Sequence, residues 1–151
     1  MITGNVSEKN KYICYFDASH REYMATIAYI VKDSENKVLL QSSKVIKCKA
    51  SHIAEARALT ELLCHLSFES DMCLIPKNSD IVICGDCKSI IDFVKDRTTY
   101  TNCKHKITYN SLLYYYLKLK QDNNIVLKWI TRAKNKEADA IARKLLKYLK
   151  F

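Results

Sequence analysis

Tyr12-Ile13-Cys14-Tyr15-Phe16-Asp17-Ala18-Ser19 is an apolar run rich in β-formers that closes on a single acid. Such a run reads as a strand buried on both faces, and therefore central in its sheet. An ionised carboxylate at the end of a central strand is costly unless a cation or hydrogen bonds compensate it. Asp17 is thus a candidate metal ligand or general base. The competing reading is a turn at Ala18-Ser19-His20 that Asp17 begins.

Working outward, Tyr23–Val31 reads as a second strand and Lys37–Ile46 as a third, with the polar residues Lys32 to Asn36 as the turn between them. The short links imply an antiparallel meander. From Ser51, a plausible N-cap, the period becomes helical, and Leu59, Leu62, Leu63 and Leu66 form the apolar stripe. Glu55 lies four residues before Leu59 and shares its inward face, an unusual place for a glutamate unless it is only an exposed first-turn acid.

Residues 70–79 contain the single proline and read as a loop. Asp80–Cys84 is a compact strand ending in Gly85-Asp86, and Ser89–Val94 reads as a short helix that Asp86 could simply cap. Ile107–Leu119 carries a helical pattern with Leu112, Leu113, Tyr116, Leu117 and Leu119 as its core face. Its tyrosines read as packing residues before base-stacking platforms. Ile125–Ile130 is a fifth strand. A last helix over Asn135–Tyr148 places Ala138, Ile141, Ala142, Leu145, Leu146 and Leu149 on one stripe, with Asp139 in the first turn, where an acid also complements the helix dipole.

The order βββ-α-β-α-α-β-α puts Asp17, Glu55, Asp86 and Asp139 at element ends, which gather at one edge of an α/β sheet. If the first, fourth and fifth strands run parallel, Asp17 and Asp86 emerge side by side, overhung by Glu55 and Asp139. Four clustered carboxylates repel one another without a cation, so the constellation points to hard divalent ions.

Composition sets the frame. A chain of 151 residues with 48% hydrophobic content suits one domain with a sizeable core, over residues 11–151 after a loose leader at 1–10. Twenty-five Lys and Arg against 16 Asp and Glu give a net charge of +9, which favours a polyanionic partner such as nucleic acid. Seven cysteines, at 14, 48, 64, 73, 84, 87 and 103, are odd in number and scattered. With no signal peptide, they suggest reduced thiols and a cytoplasmic protein. No apolar run approaches the roughly 20 residues of a membrane span, and a soluble monomer is expected.

The motifs FDAS at Asp17, AEARAL at Glu55, CGDCKSII at Asp86 and NKEADAIARK at Asp139 together resemble the ribonuclease H family, over about residues 11–150. The match is to its compact branch, whose last motif is an Arg, a short gap and Asn-x-x-Ala-Asp-x-x-Ala, here Arg132 and Asn135 to Ala142 with one extra residue before Asp139. The resemblance implies a five-stranded mixed sheet in the order 3-2-1-4-5 flanked by helices. It also implies two-metal hydrolysis with Mg²⁺, or Mn²⁺, cutting the RNA strand of RNA–DNA hybrids to leave 5′-phosphate and 3′-hydroxyl ends. By that analogy Asp17 bridges both ions, Glu55 and Asp86 hold one, and Asp139 helps hold the other, while Ser19, Ser51, His52, Arg132 and Asn135 contact substrate. In such a site one ion turns bound water into hydroxide and the other stabilises the leaving oxyanion. The chain departs from many relatives in three places. Ala18 follows Asp17 where they carry Gly, Ser51 and His52 stand where they carry asparagines, and no His lies between Trp129 and Asp139.

Two other readings compete. Cys84-Gly85-Asp86-Cys87 is a C-x-x-C between strand and helix, the context of a thioredoxin-like motif, but the single proline lies upstream of it. No second ligand pair supports a zinc site, and His20, His52, His65 and His105 are isolated in sequence. A non-catalytic nucleic-acid-binding or scaffold protein on the same fold is the stronger rival, against which the retained acids argue.

Overall fold

The computed structural model describes residues 10–96 and 105–149. Residues 1–9 of the expected leader and residues 97–104, Cys103 among them, lie outside the described residues.

β1 (Lys11–Arg21), β2 (Met24–Asp33) and β3 (Val38–Lys47) form the antiparallel meander. After α1 (Ser51–Asp71), β4 (Asp80–Gly85) pairs parallel with β1. After α2 (Lys88–Asp96) and α3 (Lys106–Asp122), β5 (Asn124–Trp129) pairs parallel with β4. A 3-10 turn at Arg132–Lys134 then leads into α4 (Lys136–Lys147). The sheet order is β3-β2-β1-β4-β5, with β1 at its centre.

One core dominates. Cys14 and Phe16 of β1 and Ile81 and Ile83 of β4, all fully buried, join Leu59, Leu62, Leu63 and Leu66 of α1 and Leu112 of α3. α4 packs on β1, β2 and β3. Two of its three alanines, Ala138 and Ala142, are fully buried and Ala140 is exposed, while Ile141, Leu145 and Leu146, with Leu149 just beyond the helix, stay half-buried.

Several sequence expectations shift. β1 does not end at Asp17 but runs on to Arg21, because β2 continues to pair with it as far as Arg21↔Met24. The turn therefore falls at Glu22-Tyr23, where Glu22 adopts a left-handed φ of 56°. β2 likewise extends through Lys32, which is buried. That lysine is tolerated in a strand because it pairs with Glu137 of α4 and sits 6.0 Å from the Tyr15 ring centroid. The link to β3 is an Asx turn in which Asp33 Oδ1 accepts the Glu35 and Lys37 amides, both at 2.9 Å. Ser51 is the first helical residue and Ala50 the N-cap, with no side-chain cap bond. On α3 the inward stripe is Tyr109, Leu112, Tyr116 and Leu119, a 3-4-3 spacing that rotates Leu117 out to 44% exposure.

The end of β4 and the middle of β1 meet at a tight contact. A Cβ placed on Gly85 would stand 2.4 and 2.5 Å from two Phe16 ring carbons, so the ring occupies the space a side chain there would need. Gly85→Ala is expected to destabilise the protein by roughly 1–3 kcal/mol through overpacking. The cost should shrink in a Phe16→Leu background, where the ring is gone. A double-mutant cycle in urea checks this, and an equal cost in both backgrounds would show that the Phe16 contact is not the reason for glycine.

Candidate active site

The parallel ladder between β1 and β4 ends at Tyr15↔Cys84. Just beyond it, Phe16 enters the core and Asp17, as the next residue of a pleated strand, points elsewhere. Asp86 follows the last residue of β4, and Glu55 lies in the second turn of α1. One carboxylate oxygen from each of Asp17, Glu55 and Asp86 lies within 4.8 Å of the others.

The environment of these acids is unfavourable to their charge. Asp17 is only 4% exposed. Burial, with further contributions from the Asp86 charge and from a hydrogen bond with Asp139, pushes its carboxyl up to about 7, against the opposing effects of hydrogen bonds from Glu55 and the Ala18 amide. Glu55 is pushed up to about 10, by burial first and then by Asp17. The Glu55 Oε2 atom is sealed from solvent and has no hydrogen-bond partner. Three converging oxygen donors, one of them from a glutamate that carries a buried oxygen without a partner, are a donor set suited to a hard divalent cation. The residues present therefore fit such an ion.

Asp139 is not one of the three clustered acids but reaches them through its hydrogen bond with Asp17. It lines the same cavity, and its Oδ1 accepts a 3.0 Å hydrogen bond from Arg143 Nε one helical turn on. Asn135 behaves differently from a substrate-facing residue. It is fully buried, and its Nδ2 donates to the Phe16 carbonyl at 2.9 Å and to Asp86 Oδ2 at 3.2 Å. It ties the last loop to β1 and to Asp86 together.

The acids open into a cavity of about 640 Å³. Ser19, Ser51, His52 and Arg132 lie on its wall as expected of substrate contacts, and Asn135 does not. His20, Arg21, Cys87, Arg143 and Lys147 also line it and were not among the expected site residues. For Arg143 a signal existed, since an Arg four residues after Asp139 on a helix is placed to pair with it. Nor are the histidines isolated in space. His52 and His105 meet edge to face at 5.5 Å, His65 Nδ1 lies 2.6 Å from the Tyr29 hydroxyl, and His20 Nε2 lies 2.9 Å from the Cys48 carbonyl. The six described cysteines, Cys84 and Cys87 among them, are free.

Comparison with known families now bears on this geometry. The family model described as reverse transcriptase-like matches residues 15–145. The chain belongs to that family, which has the ribonuclease H fold. The structure resembles RNase H1 from the halophilic archaeon Halobacterium salinarum NRC-1, with a TM-score of 0.72 and 19% identity over 92% of this chain and 99% of that one. It also resembles LC11-RNase H1, isolated from compost by a metagenomic approach, with a TM-score of 0.77 and 22% identity over 91% and 96% of the two chains. The same LC11 enzyme in complex with an RNA/DNA hybrid matches with a TM-score of 0.75 and 21% identity, over 89% of this chain and 99% of that one. Comparison with curated protein sequences finds no match. The ribonuclease H fold and the acidic cluster support a nuclease.

The raised carboxyls have a signed consequence for stability. Folded Asp17 keeps its proton up to about pH 7, whereas the unfolded chain releases it near 3.8. Across that window the native state binds more protons, so this group's contribution to stability falls as pH rises. Without metal, Asp17→Asn should therefore be more stable than wild type, with a gain that grows from about pH 4 to about pH 7. Melting temperatures in chelator across that range check this, and a gain that shrinks with pH would contradict it.

Proposed function

We propose that this protein is a divalent-cation-dependent endonuclease that cleaves the RNA strand of RNA–DNA hybrids, leaving 5′-phosphate and 3′-hydroxyl ends. The observation that carries the proposal is the convergence of one carboxylate oxygen each from Asp17, Glu55 and Asp86 within 4.8 Å of one another, with a buried Glu55 oxygen left without a partner. The hybrid bound to LC11-RNase H1 supports the substrate class. Six free cysteines support a reducing, cytoplasmic setting.

In this reading Asp17, Glu55 and Asp86 hold divalent metal, with Asp139 contributing beside Asp17. Mg²⁺ or Mn²⁺ held by these acids, two ions in this reading, would make a bound water nucleophilic near neutral pH and would stabilise the leaving oxyanion. Asn135 fixes the rotamer of Asp86, so that its carboxylate meets the cluster without searching. Arg143 holds Asp139 from the solvent side and limits the directions its oxygens can take. Ser51 and His52, on the first turn of α1 and the cavity wall, offer contacts to the RNA strand's 2′-hydroxyl. Ser19 on β1 and the exposed Arg132 offer contacts to the backbone phosphates.

Labelled hybrid, double-stranded RNA, single strands and duplex DNA, each with and without Mg²⁺, test the reading. Hybrid cleavage that needs the cation and disappears in Asp17→Asn is expected. Hybrid binding with no cation-dependent cleavage above the Asp17→Asn control would put the non-catalytic binding protein in its place.

Asp139 and Arg132 separate chemistry from binding. Asp139→Asn should spare hybrid binding and lower turnover at least about a hundredfold, because it removes charge that organises the metal and its water. Arg132→Ala should weaken binding and reduce the log–log salt slope by roughly one unit. Near-normal turnover with a slightly lowered melting temperature in Asp139→Asn would reduce that acid to a helix-dipole role.

A further inference from the structure

The single tryptophan of the chain, Trp129, closes β5 beside Gly85, the residue before Asp86. Its indole Nε1–H donates to the Asp86 carbonyl at 3.1 Å. That bond fixes the ring, yet 45% of the residue remains exposed. A large apolar side chain held rigid and left half in water is an unfavourable arrangement for packing alone. It is a suitable one for stacking, since little side-chain entropy remains to be lost when a flat ligand arrives.

The charge around it narrows the ligand. Arg132 and Lys134, on the turn that follows Trp129, are exposed, and neither pairs with an acid among the described residues. Lys128, the preceding residue, is likewise exposed and unpaired with any described acid. Arg132, three residues after Trp129, also lines the cavity into which the acids open. Aromatic face and cations together match a nucleotide, whose base stacks while its phosphate is held.

We propose that Trp129 is a stacking platform for an unpaired base of the nucleic acid, with Arg132 and Lys134 holding the phosphates between that base and the cavity. A base inside a duplex has both faces covered, so the platform selects a hybrid that carries a single-stranded extension. The inference rests on the nucleic-acid reading given above and adds the class of substrate end it prefers.

The test is equilibrium binding in chelator, where no cation-dependent cleavage occurs, with Trp129 emission as a reporter free of other tryptophans. A blunt hybrid is compared with the same hybrid carrying a short overhang on the RNA strand or on the DNA strand, which identifies the strand that supplies the base. The preferred overhang should bind about 5- to 150-fold tighter than the blunt hybrid and quench the emission. Trp129→Ala should abolish that difference while still binding the blunt hybrid, and Trp129→Phe, which keeps a stacking face, should retain most of it. Equal binding of blunt and overhanging hybrids, or an equal loss for both in Trp129→Ala, overturns the platform and leaves the nuclease reading intact. Loss of the difference in Trp129→Phe as complete as in Trp129→Ala assigns the effect to the bond on Asp86 and also overturns it. Failure of the wild type to bind the blunt hybrid overturns the nucleic-acid reading and this inference with it.

Discussion

Three carboxylates whose oxygens lie within 4.8 Å of one another, one of them on a residue 4% exposed, repel each other and lose hydration. Their proximity has to be imposed by something stiffer than the repulsion. The source is the parallel β1–β4 ladder, which ends at Tyr15↔Cys84 and delivers Asp17 and Asp86 side by side. The ladder is stiff because its inner face is part of the main core, and because Phe16 lies against Gly85 too closely for any side chain there. The same contact sits one residue from each acid, so packing in the core and geometry in the site are one arrangement.

α1 and α4 bring their acids to that edge by different means. α1 is seated by a continuous apolar stripe from Ile53 to Leu66, which fixes Glu55 over Asp17. α4 buries only two alanines, and polar ties supplement its packing. The Thr26 hydroxyl donates to the Ala142 carbonyl at 2.6 Å, and buried Lys32 pairs with Glu137. Asp139 lies between these two ties along the helix, and Asn135 anchors the helix start to the Phe16 carbonyl. A short helix with little apolar area is thereby held in register on the sheet.

The parts of this arrangement that depend on local pattern were legible in the sequence. The strand around Phe16 and the alternation of links follow from periodicity and spacing, while the sheet order followed from the family resemblance that the four acidic motifs carry. What was not legible depends on partners distant in sequence. Lys32 reads as a turn residue because a lone lysine is polar, and only Glu137, 105 residues away, makes it a strand residue. Asn135 reads as a surface contact because a cap position does not reveal where its amide points, and the structure spends that amide on Asp86. Leu117 reads as core because it is apolar, but the α3 stripe passes it by. Trp129 carried no sequence signal at all, since its meaning lies in a bond to a carbonyl on another strand.

The claim beneath all of this is that the acids are assembled for cations. Crystals grown or soaked with Mn²⁺ and measured for anomalous scattering address it without recourse to activity. Anomalous density between the carboxylates of Asp17, Glu55 and Asp86, lost in Glu55→Gln, is the expected result. A well-ordered site with no such density at saturating Mn²⁺ would contradict the claim, and would leave the raised carboxyls to be explained as a protonated, proton-sharing cluster.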